Sequence, residues 1–221
     1  MRTSFLLRMG PSSRALVLLT LVSSVVPEML AAQGSSPNLL AERSKGSPTA
    51  PITVYEMSDF QCPYCRQHAV ETFPELEKSY IQSGKVRWVF LNFPLTSIHH
   101  NAAAAAELAL CGARQGKFWP LHDLLFKYQQ TWAPLKEPGP FLVTLIDSVN
   151  APRAPMEACL TARAARPELE ADAQAAQRSG AQSTPTFYIE GGLLVGAQPV
   201  ALWKEILDSI YKAKKSVNGK R

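Results

Sequence analysis

The stretch Ser58–Cys65, SDFQCPYC, sets two cysteines apart by one proline and one tyrosine. Before it, ITVYEM (52–57) is rich in β-branched and aromatic residues and predicts a strand. After it, over 62–82, Val70, Phe73, Leu76 and Tyr80 recur at three- and four-residue spacing and predict an amphipathic helix. Pro74 falls inside that helix and is expected to kink it or shift its register. Cys62 thus stands where a strand passes into a helix, at the N-cap, where unpaired N–H groups and the helix dipole favour negative charge. That placement stabilises its thiolate, the attacking species in disulfide exchange. Cys65, one turn on, points back toward the same end and can attack a mixed disulfide formed on Cys62. Pro63 suits the first helical turn, where its missing N–H is no loss.

Two other chemistries fit such a pair. CxxC supplies two of the four ligands of a structural zinc, and His68 extends the spacing to C-x2-C-x2-H, with His99, His100 and His122 elsewhere. His68 falls on the helix after the motif, however, and no second CxxC or HxxxH is present, so no metal is expected. An inert structural disulfide suits so small a ring poorly. The remaining histidines, and the aromatics Phe118, Trp119, Phe126 and Trp132, read as core or rim residues.

Outward from the motif, VRWVFLNF (86–93) predicts a second strand after Gly84. From 95 to 180 the pattern is helical, with segments near 102–111, 118–128, 142–149, 156–164 and 167–178. The period then returns to that of strands: TFYIE (186–190), Gly191-Gly192 and LLVG (193–196) predict a hairpin with a Gly-Gly turn. Pro199 opens a last helix with Trp203, Ile206, Leu207 and Ile210 on one face. Strand–helix–strand, a long helical block, then strand–strand–helix describes an α/β sheet with an inserted all-helical subdomain.

SDFQCPYC, the stretch FPLTSIHHNAAAAAELALCGARQGKFWPLHDLLF and STPTFYIEGG, in this order, resemble the DsbA-like branch of the thioredoxin superfamily over roughly residues 50–211. The resemblance implies a thioredoxin fold carrying the helical insertion. It further implies that Cys62 is the surface nucleophile, Cys65 the buried resolving cysteine and Pro185 a cis-proline facing them, with Thr184 before it. Glu56 matches the buried acid beneath the disulfide; burial would raise its pKa and make it a proton acceptor or relay for Cys65. The other reading of Glu56 is a strand-end carboxylate in solvent, and Asp59, nearer the motif, reads as a loop or turn residue. Pro63, Tyr64, Thr184 and Pro185 are expected to form the substrate-binding face, where an extended segment adds beside the strand opened by Pro185. The strongest oxidants of that branch carry histidine where this chain has Tyr64, which adds no positive charge beside the thiolate.

Arg2, Arg8 and Arg14 precede an uncharged run over 15–26 that is short for a bilayer span, and Pro27, Ala31 and Ala32 follow. This layout predicts a secretory signal peptide over 1–34 and a periplasmic or secreted body, the other reading being an uncleaved anchor. A polar linker is expected over 35–50, two halves of the sheet domain over 51–94 and 181–213 around the insertion at 95–180, and a basic tail over 214–221. The 221 residues, 46% hydrophobic and 19% charged, fit one globular domain with an insertion. Of the net charge of +5, residues 1–34 hold +2 and the last ten +5, leaving −2 in the body, so nucleic-acid binding is not expected.

In an exported chain the two remaining cysteines, Cys111 and Cys159, would pair as a structural disulfide; two buried thiols or a second redox relay are the other readings. The function expected is a thiol–disulfide oxidoreductase, foremost a dithiol oxidase, acting on cysteine-containing exported proteins and recycled by a membrane redox partner. It would need no cofactor, because the cysteines carry the electrons. The alternatives are a reductase or isomerase, or a non-catalytic peptide- or metal-binding module. A monomer is expected, since only about 16 residues separate the leader from the first strand, too few for the N-terminal dimerisation domain of dedicated isomerases.

Overall fold

The computed structural model describes residues 39–218; the leader read over 1–34 lies outside them. Leu39–Glu42 forms one helical turn (α1), Ser44–Lys45 a two-residue strand (β1) and Ile52–Ser58 the central strand (β2). A helical run then spans Pro63–Gln67 (α2), a π-helical turn His68–Thr72, Phe73–Leu76 (α3) and a second π-helical turn Glu77–Ile81. Pro74 does not break this run. Its ring would meet the carbonyl four residues back in a regular α-helix, and the wider π-helical turn just before α3 removes that clash.

Strand β3 (Val86–Asn92) lies parallel to β2, with Val54 opposite Trp88 and Glu56 opposite Phe90. The insertion follows as α4 (Ala102–Ala113), α5 (Phe118–Lys127), α6 (Gln129–Trp132), α7 (Gly139–Ser148), α8 (Arg153–Thr161) and α9 (Arg166–Arg178). Strands β4 (Thr186–Ile189) and β5 (Gly192–Val195) then complete, among the described residues, a five-stranded sheet in the order β1-β3-β2-β4-β5, and α10 (Val200–Asn218) follows. Among the described strands only the β2–β3 pairing is parallel, so the crossover helices sit beside the strand that carries the motif.

Three boundaries differ from the sequence expectation. The segment 35–50 is not a linker over its described part: β1 pairs antiparallel with β3, and the buried Arg43 bonds the Asp172 carboxylate and the carbonyls of Leu39 and Phe90. A two-residue strand has no periodicity of its own, and its pairing comes from a partner more than 40 residues away. The hairpin turn is Glu190-Gly191 rather than Gly191-Gly192. Ile189 pairs with Gly192, and both turn residues have positive φ (48° and 93°), as a type I′ turn requires. Finally, the tail read from 214 continues α10, with Lys214 Nζ 2.7 Å from Glu190 Oε2 at that same turn.

The core has two main bodies. Ile52, Val54, Phe73, Leu76, Trp88, Phe187, Trp203 and Leu207 pack between the sheet, the crossover helices and α10. Phe60, Phe90 and the cysteine motif pack against the insertion. Small residues let the insertion close up: a Cβ at Gly112 on α4 would stand 2.3 Å from Leu121 Cδ1 on α5. Cys111 on α4 and Cys159 on α8 are joined by a disulfide across 48 positions. Closing a loop of that length stabilises by about 4 kcal/mol in the chain-entropy model. The double substitution Cys111→Ala and Cys159→Ala is therefore expected to lower Tm by about 10 °C, read by calorimetry. An unchanged Tm would mean the bond adds nothing to stability.

Candidate active site

Cys62 is the N-cap of α2 in extended conformation, and Pro63 follows at the first helical position. Its Sγ donates to the Thr184 carbonyl at 3.2 Å, and the Thr184–Pro185 peptide is cis. The Cys65 thiol, the Thr184 side chain and the N–H groups of Cys65 and Tyr64 favour the Cys62 thiolate against the opposing effect of burial. Together they push its pKa from 9.0 down to about 6. Cys65 is fully buried; its sulfur accepts the Asp59 N–H at 3.4 Å, and burial with the neighbouring Cys62 pushes its thiol well up. Both cysteines stand as free thiols. The sequence places them one helical turn apart, and the fold makes their environments opposite.

Glu56 is buried on β2 rather than solvated, with Oε2 accepting Trp88 Nε1–H at 2.8 Å. Burial raises its pKa; the His122 charge, the Trp88 hydrogen bond and the nearby Ser58 hydroxyl offset this in part. Pro63 and Tyr64 are exposed, Tyr64 at 63%, while Thr184 and Pro185 are buried. The structure thus brings Cys62, Cys65 and Thr184 together, with Pro185 following across the cis bond, Pro63 and Tyr64 exposed, and Glu56 buried on the central strand.

His68 is buried among Trp88, Phe187, Trp203 and Phe73, and its pKa is pushed down to about 3, first by burial and then by the His122 charge. It is therefore a neutral core residue in an aromatic surround. Among the described residues no group of three or more histidines, cysteines and carboxylates is arranged around a common point for a metal ion.

Sequence reasoning missed three supports. Asp59 is a loop residue, as read, but a buried one whose carboxylate accepts Gln61 N–H at 2.7 Å, Leu95 N–H at 2.8 Å and His99 Nδ1–H at 2.8 Å. The Gln61 bond is an Asx turn, a signal present in the sequence. Gln129, on α6, donates Nε2–H to the carbonyls of Phe60 and Cys62 at 2.8 and 2.9 Å. No local pattern marks it, because its partners lie more than 60 residues away. Ser58, buried at the end of β2, is the third.

A family model described as Thioredoxin matches residues 39–209, and the chain belongs to that family. Na(+)/H(+) antiporter NhaA 3 of Salinispora tropica is 30% identical over 184 residues, 83% of this chain and 26% of that protein. Disulfide bond formation protein D of Bacillus subtilis is 25% identical over 187 residues, 83% of each chain. The chain therefore spans about a quarter of the antiporter relative and most of the Bacillus one. Among solved structures, oxidised BdbD from Bacillus subtilis superposes with a TM-score of 0.71 at 23% identity, covering 80% of this chain and 96% of that one. For α-DsbA1 of Wolbachia pipientis the values are 0.70, 20%, 79% and 92%. These likenesses establish a thioredoxin fold with a helical insertion.

The depressed Cys62 pKa has a consequence for stability. A group whose pKa is lowered by folding contributes fully above its unfolded value, and the contribution is lost as pH falls through the folded one. The window is therefore from about 6 to 9.0, and the raised Cys65 titrates above it. Thermal unfolding of the reduced protein against Cys62→Ser is expected to show an advantage that grows as pH rises through that window. A constant gap would mean an ordinary thiol.

Proposed function

We propose that the protein is an exported thiol–disulfide oxidoreductase that works as a dithiol oxidase on cysteine-containing proteins. The observation that carries this reading is the division of the cysteine pair, Cys62 low and beside Thr184, Cys65 high and buried. In the oxidised protein a substrate thiolate attacks Cys62 Sγ, the Cys62–Cys65 bond breaks, and its electron pair leaves on Cys65. A second substrate thiolate then attacks the substrate sulfur of the mixed disulfide. Cys62 leaves as a thiolate, and a low pKa makes it a good leaving group. Two electrons pass to the cysteine pair and the substrate gains a disulfide.

A reduced form stabilised by ionisation at Cys62 is the direction that makes a couple oxidising. Membership of the thioredoxin family and the likeness to Bacillus disulfide bond formation protein D support the same chemistry. Thr184 and Pro185 would receive an extended substrate segment beside Cys62, with Pro63 and Tyr64 on the rim. A membrane redox partner would restore the disulfide, and the leader read over 1–34 would export the chain.

The test is glutathione equilibration of the purified protein together with oxidation of a reduced two-cysteine peptide. The expected result is a potential above the glutathione poise and peptide oxidation that Cys62→Ser abolishes, with Cys65→Ser trapping a mixed disulfide. A potential at or below that poise would make the protein a reductase or isomerase. No exchange at all would leave a peptide-binding module.

A further inference from the structure

Ser58 holds a buried hydroxyl for which the exchange chemistry above has no use. It follows Glu56 by two residues on β2, so both side chains leave the same face of the strand. Ser58 Oγ and Glu56 Oε1 are each buried without a hydrogen bond of ordinary geometry, whereas Oε2 of the same carboxyl is held by Trp88. Cys65 comes to the same end of the strand: its sulfur lies 3.4 Å from the nitrogen of Asp59, the next residue after Ser58. The hydroxyl is close enough to favour the anions of both Cys65 and Glu56, against the larger effect of burial on each. Unpaired buried polar atoms are rare because they are expensive. Here the partners that would satisfy them are one another and the Cys65 sulfur.

We propose that Ser58 carries the proton between Glu56 and Cys65. The inference rests on the disulfide-exchange reading and adds the residue that makes the buried half of it feasible. When a substrate thiolate attacks Cys62, the S–S bond breaks and its electron pair stays on Cys65, in a fully buried site that disfavours the anion. Ser58 gives its proton to that sulfur and takes one from the Glu56 carboxyl, which burial keeps toward its protonated form. Cys65 ends as a thiol, Ser58 again as a hydroxyl and Glu56 as a carboxylate, so the charge moves from the sulfur to the oxygen held by Trp88. A hydroxyl suits this place because it donates and accepts at one atom.

The experiment is rapid mixing of the oxidised full chain with a single-cysteine peptide, following release of Cys65 over about pH 5 to 9, a range that covers the carboxyl limb and that of the attacking peptide thiol. Wild type, Ser58→Ala, Glu56→Gln and the double variant are compared, and their Tm values establish that each is folded. Ser58→Ala is expected to slow the step about tenfold and to remove the limb set by Glu56. The effect stays below the roughly hundredfold of a direct general acid, since water can enter the vacated space. The Cys62 thiolate titration of the reduced protein should not move, and the double variant should be no slower than Glu56→Gln. An unchanged profile in Ser58→Ala, or losses that multiply in the double variant, overturns the relay alone. No exchange by the wild type overturns the exchange reading and the relay with it.

Discussion

The carboxylate of Asp59 collects hydrogen bonds from Gln61 N–H, Leu95 N–H and His99, while its own N–H reaches the Cys65 sulfur. A buried carboxylate without such partners would be costly, and hydrogen bonds to a charged group each contribute about 1.5–3 kcal/mol. These bonds come from two parts of the chain, the turn that presents Cys62 and the exit from β3 into the insertion. Neighbouring residues repeat the arrangement. Gln61 accepts from Asn101 N–H at 2.7 Å and donates to the Ala133 carbonyl at 3.1 Å, and Gln129 holds the carbonyls of Phe60 and Cys62. Every residue from Asp59 to Cys62 is therefore tied to a segment between 95 and 133. The insertion acts on the motif as a clamp, and its disulfide and small-residue helix contacts make the clamp rigid.

That rigidity is what keeps the two sulfurs different. Cys62 and Cys65 are chemically identical groups, and a mobile turn would average their surroundings. Held as they are, one sits at a helix N-cap against Thr184 and the other in the core against a backbone N–H. The split in their pKa values follows from geometry, chiefly the hydrogen bond from Cys65 on one side and desolvation on the other. In the proposed reaction, attack, departure and reprotonation would then fall to different atoms in a fixed order.

The parts of this architecture that were legible in sequence are those whose cause is local. Strand periodicity around the motif, the helical spacing of Val70, Phe73, Leu76 and Tyr80, and the change of period after 180 all report on neighbouring residues. The structure departs from the reading where the cause is distant or is a choice between similar local answers. Ser44–Lys45 is a strand only because β3 lies beside it, and Arg43 is buried only because Asp172 is 129 positions away. Pro74 was legible as a disturbance, but the π-helical turn that absorbs it was not. At the hairpin, glycine marked the turn, and the cross-strand register moved its first residue to Glu190, which accepts a positive φ. Glu56 was readable as an acid in an apolar strand, whereas Gln129 and the carboxylate bonds of Asp59 depend on contacts that no spacing encodes.

The same division bears on which residues tune the cysteine pair. The two residues between the cysteines are the obvious place to look, yet Pro63 and Tyr64 turn their side chains to solvent. What touches the Cys62 sulfur is the Cys65 thiol, Thr184 and backbone N–H groups. The Tyr64 side chain is not among them, so the lowered Cys62 pKa arises without its help. It arises from how the helix begins and from what the strand after the insertion places opposite it. Both are fixed by the polar bonds that hold residues 59 to 62, and so the affinity of Cys62 for a proton is a property of the clamped turn more than of the dipeptide within the motif.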